Sequence, residues 1–294
     1  MPDERIGVAV SGGPDSMALL GASAASWPGQ VLAATVDHGL REAARAEAEM
    51  VAGWCAAHGV PHVILTARIG SDGNLQAAAR AARYALLERW QADHGIAWLM
   101  TAHQADDQIE TMLLRLNRGA GVGGLAGVRA RRGTLLRPLL GERRAALRAW
   151  CVDHDLPFVD DPSNADARFD RVRMRGALAG APWIDPAGLA RSAGALAQAH
   201  AALDWATDGL AADFLVLDEG RARLTRTDLP PEFLRRLLLR MIDHVHSGAE
   251  KPRGPSLDQA LVQLFHGSTV SLADCVLTGG PVWTVRRAPP RKAR

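Results

Sequence analysis

Cysteine is scarce in this chain and lysine scarcer still. Of 294 residues, 3 are cysteines, at Cys55, Cys151 and Cys275. They form no CxxC pair and no zinc or cluster spacing, which argues against a disulfide framework or a cysteine-held metal. Lysine occurs only as Lys251 and Lys292, so nearly all positive charge is arginine; with the abundant alanine, this bias is what GC-rich coding produces without any functional pressure. No apolar run approaches the roughly 18 residues that span a bilayer. Met1 to Asp15 has no apolar segment with a cleavage site, so a cytoplasmic protein without membrane association is expected. Neither sign of charge dominates: 34 basic against 32 acidic side chains leave +2, which excludes a strongly basic coat or an acidic tail. The remainder is globular in composition, 48% hydrophobic and 22% charged, without internal repeats. At roughly 100–200 residues per domain, two domains are expected.

The first half alternates strand and helix signals. Apolar runs at Ile6–Val10, Val31–Val36, His62–Leu65 and Ala97–Thr101 read as strands, with Thr134–Arg137 as a shorter fifth. Helical spacing covers Met17–Leu20, Arg41–His58, a stretch capped by Asn74 that runs through Tyr84 towards Asp93, and Asp106–Leu116. Such alternation predicts βαβ units, hence a Rossmann-like α/β domain with a parallel sheet and helices on both faces. Ligands of such sheets sit beyond the carboxyl ends of the strands, and Ser11, Asp37 and His103 each fall just past a predicted strand end. After about residue 180 the pattern changes. Helix candidates at Pro186–Leu210, Pro231–His246 and Ser256–Phe265, with short strands at Phe214–Leu217, Ala222–Leu224 and Val282–Arg286, predict a smaller α-rich domain. The expected division is 1–182 and 183–294, joined through the Gly/Pro-containing segment 176–186.

Ser11-Gly12-Gly13-Pro14-Asp15-Ser16 carries the first chemical signal. A glycine pair between strand and helix lets backbone N–H groups turn inward around an anion, and the helix adds its positive end. Ser11 and Ser16 can donate hydroxyls, while Asp15 can orient the loop or sit near a metal; without GK[ST] this is not a Walker A loop. A plain helix-capping turn is the alternative. Asp106, Asp107 and Glu110 open a helix, where the dipole favours carboxylates. Asp107 and Glu110, at i and i+3, share a face and can hold Mg²⁺ against the phosphates of a ligand, receive an ammonium group, or merely charge the helix start. Asp37 reads as a turn residue or a ligand, and His103 as a phosphate contact or a structural histidine.

The loop resembles the SGGxDS signature of the PP-loop ATP pyrophosphatases, which split ATP into AMP and pyrophosphate. Val36-Asp-His-Gly-Leu-Arg41, Asn74 to Tyr84 and Thr101-Ala-His-Gln-Ala-Asp-Asp-Gln-Ile-Glu-Thr111 are similar, in order, to motifs of the tRNA(Ile)-lysidine synthetases within that superfamily; Gln76 and Ala77 depart from the usual start of the second. Arg118–Leu125, Leu136–Leu140, Asp160–Asn164 and Asp170–Arg175 follow in the expected sequence, so the resemblance covers about residues 5–180. It implies ATP bound by Ser11 to Ser16, His38 and His103, metal at Asp37 and Asp107, and catalysis through Asp37, Asp107 and Glu110. It also implies a lysine substrate clamped by Arg83 at its carboxylate and by Asp107 or Glu110 at its ammonium, a tRNA(Ile) partner with a CAU anticodon, and a homodimer. A tRNA thiolase, an amide-forming synthetase and a catalytically dead tRNA-binding module are the competing readings.

From Arg115 to Arg148 there are nine arginines against the single acid Glu142, and Arg171, Arg173 and Arg175 follow. A local arginine band in a neutral chain suits a face that grips nucleic-acid phosphates, with Arg118, Arg131, Arg132, Arg171, Arg173 and Arg175 as the expected tRNA contacts. The glycines between residues 118 and 127 read as a pliable loop beside the site.

Overall fold

The computed structural model describes residues 4–37, 42–67, 75–160, 170–181, 183–248, 250 and 252–289. The expected contact His38, the motif residue Arg41, the Asn74 cap and the segment 161–168 lie outside these residues. So do the side chains of Gln76, Ala77 and Arg171.

The chain divides into two compact units, residues 1–117 with 125–194 and residues 118–124 with 195–294. The first unit contains β1 (Arg5–Ala9), α1 (Pro14–Ser26), β2 (Val31–Asp37), α2 (Glu42–Ala57), β3 (His62–Thr66), α3 (Leu75–Asp93), β4 (Ile96–Thr101) and α4 (Ala105–Leu116). After the short α5 (Val122–Leu125) come β5 (Arg131–Arg132), β6 (Leu135–Leu136), α6 (Arg144–Asp153) and α7 (Asp170–Ala179). The sheet is six-stranded in the order β3-β2-β1-β4-β6-β5. All its pairings are parallel except that of the two-residue edge strand β5 with β6. Both faces are covered, which is why β1 is a continuous apolar run rather than an alternating one. Val8, Val10 and Ala33 pack with α1, α2 and α6 on one side, whereas Ala9, Ala34 and Leu99 pack with Leu87 and Trp90 of α3 on the other.

Gly7 shows how close that second face approaches: a Cβ there would lie 2.8 Å from Trp90 Cζ3 and 3.1 Å from Ile96 Cγ2. The strand is glycine at this point because the indole lies directly on its backbone.

The second unit is built on α8 (Pro186–Phe214), within which the division falls, then β7 (Leu215–Asp218), β8 (Arg221–Leu224), α9 (Pro231–Val245), α10 (Gly254–Phe265), β9 (Thr269–Leu272), β10 (Cys275–Thr278) and β11 (Trp283–Arg287). Its sheet is five-stranded and antiparallel, in the order β7-β8-β11-β10-β9. The α-rich expectation is therefore incomplete, because two strands, β9 and β10, join the three read from sequence. Their connection is the reason: Ala273 and Asp274 take φ of 52° and 55°, the left-handed pair of a type I′ hairpin turn, without the Asn-Gly or Asp-Gly that normally announces one. Leu234, Leu237, Leu238, Met241, Ile242 and Val245 form one buried stripe on α9, against Ala222, Leu224, Leu277, Trp283 and Val285 of the sheet. No described helix is long and apolar enough to cross a membrane.

Gly7→Ala is expected to cost about 1–3 kcal/mol through overpacking against Trp90. Gly53→Ala, on α2 with nothing within 4 Å of the added carbon, is expected to gain about 0.5–1 kcal/mol. Urea-unfolding midpoints of the full chain measure both; similar midpoints for the two variants would contradict the packing argument.

Candidate active site

The ends of β2, β1 and β4 lie side by side, since both neighbours pair with β1 in parallel. Asp37, the phosphate-loop sequence and His103 thus share one edge of the sheet, as the strand-end reading predicts. Asp37 closes β2, its carbonyl accepting the Ala67 N–H at 2.7 Å, and its side chain is half-buried. His103 is also half-buried and shares a 3.1 Å hydrogen bond between Nδ1 and Thr101 Oγ1.

The Ser11–Ser16 loop turns at Gly12, whose φ of 84° favours glycine. Ser16 is an internal brace: its Oγ donates to Gly13 O at 2.9 Å, accepts the Ser11 N–H at 3.1 Å and lies 3.2 Å from Ser11 Oγ. Pro14 opens α1, and no side chain caps that helix. Asp15, the only acid in the first turn of α1, is mostly buried, and its Oδ1 has no hydrogen-bond partner among the described residues.

Opposite the loop, α4 begins with a capping box. The Gln104 side-chain oxygen accepts the N–H groups of Asp106 and Asp107, and the Gln104 N–H donates to Asp107 Oδ2 at 3.3 Å. The three acids of this helix then take different roles. Asp106 is structural: Arg143 forks onto it at 2.7–3.2 Å, and the Arg144 backbone N–H donates to its Oδ2 at 2.8 Å. Burial alone would raise the Asp106 pKa, but these donors outweigh it and hold the carboxyl below its ordinary value. Asp107 and Glu110 converge, as their spacing predicts, on the guanidinium of Arg144. Its Nη2 lies 3.5 Å from Asp107 Oδ1 and 3.8 Å from Glu110 Oε1, while its Nε lies 3.8 Å from Asp15 Oδ2. Glu110 is 2% exposed and also faces Arg175 Nε at 3.8 Å.

Asp15 bears the cost of this crowding. Its pKa is pushed up to about 6, first by burial and then by the charges of Asp107 and Asp106, with Arg144 and the neighbouring Gln104 amide opposing. Gln104 acts here without meeting hydrogen-bond geometry, since its Nε2 is buried with no partner among the described residues. Two adjacent buried polar groups thus lack partners at the mouth of the phosphate loop.

Arg83, the expected carboxylate clamp, lies on α3 with its side chain half-buried, and burial lowers its pKa. Arg131 and Arg132 are exposed on the edge strand β5, Arg131 stacking on Trp98 with its Cζ 4.7 Å from the ring centroid. Arg173 is exposed on α7, Arg175 turns inward to Glu110, and Arg118 belongs to the second unit. The arginine band is not a single basic face. Arg115 donates to Gly127 O, Arg137 is buried and donates to Arg129 O, and Arg148 pairs with Asp160 at 2.6 Å. Arg143 and Arg144 face the acids of α4. Nor are residues 118–127 a featureless loop: α5 lies within them, and a Cβ on Gly127 would clash with Gln108, whose amide clamps both backbone polar groups of Val128.

Sequence reasoning missed Arg144 and Gln104. No local spacing reveals Arg144, because its carboxylate partner Asp107 lies 37 positions away. Gln104 was detectable as an amide one residue before a helix start.

All three cysteines are buried. Burial raises the Cys55 thiol to about 11 and pushes Cys151 and Cys275 upward as well. Cys151 lies beneath the phosphate loop, its Sγ donating to Pro14 O at 3.2 Å. Buried thiols of raised pKa are poor nucleophiles.

The Asp15 carboxyl gives a testable pH signature. Its folded pKa lies above its unfolded value, so the native state holds this proton more tightly. The associated stability is fully present below about pH 4 and is lost as pH rises through about 6. Asp15→Asn is expected to stabilise the ligand-free protein at pH 7–8 by about 2–3 kcal/mol and to flatten the slope of stability between pH 4 and 6. Urea titrations at several pH values measure both effects; an unaltered slope would count against the assignment.

Comparison with known proteins bears on what this edge of the sheet does. Residues 1–181 match the PP-loop domain family. The tRNA(Ile)-lysidine synthase of Zymomonas mobilis is 43% identical over 298 residues, covering 98% of this chain and 90% of that protein. The enzyme of the same name from Ruegeria pomeroyi is 44% identical, covering 95% and 70%. Among solved structures, the U34-tRNA thiolase NcsA from Methanococcus maripaludis superposes with a TM-score of 0.57 at 14% identity, over 67% of this chain and 74% of that one, which supports the fold alone. With the family domain occupying the unit that holds the phosphate loop and the acid pocket, and with that identity sustained almost end to end, the chain belongs to the tRNA(Ile)-lysidine synthase family of PP-loop proteins.

Proposed function

We propose that this chain uses ATP to join L-lysine to C2 of the wobble cytidine of tRNA(Ile) with a CAU anticodon, releasing AMP and pyrophosphate. The observation that carries the reading is the juxtaposition of an anion-binding loop with a buried acid pocket. A triphosphate at Ser11–Ser16 and an ammonium group at Asp107 and Glu110 would be neighbours, since Arg144 already spans both.

In the first step the cytosine O2 attacks the α-phosphorus of ATP and pyrophosphate departs. The backbone N–H groups at the loop and the N-terminus of α1 receive the phosphates. In the second, the lysine ε-amine attacks C2 and AMP leaves. The amine must first lose a proton, and Asp37, Asp107 and Glu110 are the acceptors proposed from sequence. Mg²⁺ fits the donors present: Asp15 Oδ1 is a buried carboxylate oxygen without a partner among the described residues, and Mg²⁺ is usually held by one or two carboxylates together with substrate phosphates. Asp107 and Asp37 are the other proposed ligands. When bound, the ion would offset charge on the leaving pyrophosphate. His38 and His103 complete the proposed ATP contacts, and Arg83 the lysine site. We assign residues 1–182 to catalysis and 183–294 to tRNA contact, in a cytoplasmic homodimer. A thiolase mechanism is disfavoured because Cys151, the thiol beside the loop, is buried with a raised pKa.

The decisive assay follows AMP and pyrophosphate release from labelled ATP with the CAU-anticodon transcript, with and without lysine. AMP release that requires tRNA, with lysine becoming attached to it, is the expected result; release without tRNA, or no lysine attachment, would overturn the substrate assignment. Asp107→Asn is expected to lower lysine attachment by about 10²-fold or more. Removing Arg131 and Arg132 together is expected to weaken tRNA binding and lower its logarithmic salt slope by about 2, as read by filter binding across a salt series.

A further inference from the structure

Arg144 lies outside the stretches that carry the resemblance in sequence, yet it is the side chain on which the pocket converges. Its backbone is pinned, because the N–H donates to Asp106 Oδ2 at 2.8 Å and Arg143 beside it forks onto the same carboxylate. Its guanidinium is not pinned in the same way. The distances to Asp15, Asp107 and Glu110 are 3.8, 3.5 and 3.8 Å, all longer than the roughly 2.7–2.9 Å of a strong charge-assisted bond. The side chain remains 34% exposed. An arginine shared loosely among three carboxylates occupies the place where the lysine ammonium is proposed to bind, and two cations within 4 Å of the same acids repel. The Asp15 contact also sets this guanidinium beside the phosphate loop, where a triphosphate would offer planar, bidentate partners of higher charge.

We propose that Arg144 is a positioning residue that orders the two small substrates: without nucleotide it fills the acid pocket, and with ATP in the loop it turns to the phosphates and releases Asp107 and Glu110 to the lysine ammonium. ATP then binds before lysine, and the free amino acid is kept out of a site that has nothing to react with it. The inference rests on the proposed lysine reading for its second half, while the attraction of Arg144 to nucleotide stands apart from that reading.

The test is equilibrium binding to the full chain of radiolabelled lysine and, separately, of α,β-methylene-ATP, using wild type, Arg144→Gln and Arg144→Lys. Wild type is expected to bind lysine at least about tenfold tighter with the nucleotide analogue than without it, within the usual range of coupling between sites. Arg144→Gln should bind lysine equally with and without the analogue, at close to the tighter wild-type affinity, and should bind the analogue about tenfold more weakly. Arg144→Lys, which keeps the charge but not the planar fork, should retain part of the coupling, between wild type and Arg144→Gln, which a general loss of folding would not permit. Equal lysine affinity with and without analogue in wild type, or intact coupling in Arg144→Gln, overturns the proposal. If no form binds lysine under any condition, the lysine reading falls and the nucleotide arm decides for Arg144: a tenfold loss in Arg144→Gln sustains its role at the phosphates, and unchanged affinity removes it.

Discussion

Asp106 holds the site together without taking part in the proposed chemistry. Its carboxylate accepts the Arg143 fork and the Arg144 N–H, and so ties the first turn of α4 to the first turn of α6, 37 residues further along the chain. Hydrogen bonds to charged groups contribute about 1.5–3 kcal/mol each, and the backbone donor is the more reliable part because the Arg143 side chain is half-exposed and its Coulomb attraction is screened. Once this tie is made, Asp107 and Glu110 project from α4 towards Arg144, and Arg144 in turn reaches Asp15. Gln104 completes the arrangement from the other side by capping α4 through its side-chain oxygen.

What results is an acid cluster with less compensation than a purely structural one would carry. Glu110 is almost fully buried and faces two arginines, both at 3.8 Å. Asp15 is driven towards its neutral form by burial and by neighbours of its own sign. Buried ion pairs stabilise a fold only when geometry is close and every remaining lone pair is met, and neither condition holds here. An ammonium group or a metal cation brought to these carboxylates would supply the compensation that the protein itself supplies only loosely, so binding can draw on free energy that folding has not released.

The legible and illegible parts of the molecule divide by range. β1 to β4 could be read from short apolar runs, and the placement of Ser11, Asp37 and His103 at one edge followed from strand ends alone. The i, i+3 convergence of Asp107 and Glu110 was equally local. Arg144 was illegible because its partners come from Asp15, Asp107 and Glu110, and in sequence it was one more arginine in a run. The same distance effect made that run look like a single basic face: the carboxylates that meet Arg143, Arg144 and Arg148 are Asp106, Asp107 and Asp160, all outside it. In the second unit, β9 and β10 escaped notice because Ala273 and Asp274 adopt left-handed conformations that side chains rarely tolerate, so the turn left no glycine mark.

The glycines after α4 carry one further step. Asn117 ends that helix, and residues 118–124 group with the second unit. There Gly123 lies so close to His200 that a Cβ would come within 2.8 Å of its Cε1. His200 Nδ1 lies 2.9 Å from Nη2 of the buried Arg236, whose other donors meet Asp204 at 2.6 Å and Glu232 at 2.8 Å. Glycine at this position is a matter of close packing against a fixed ring, not of pliability. The helix that presents Asp107 and Glu110 at its start therefore runs, through a single residue at its end, into a segment seated on an ordered charge network of the second unit.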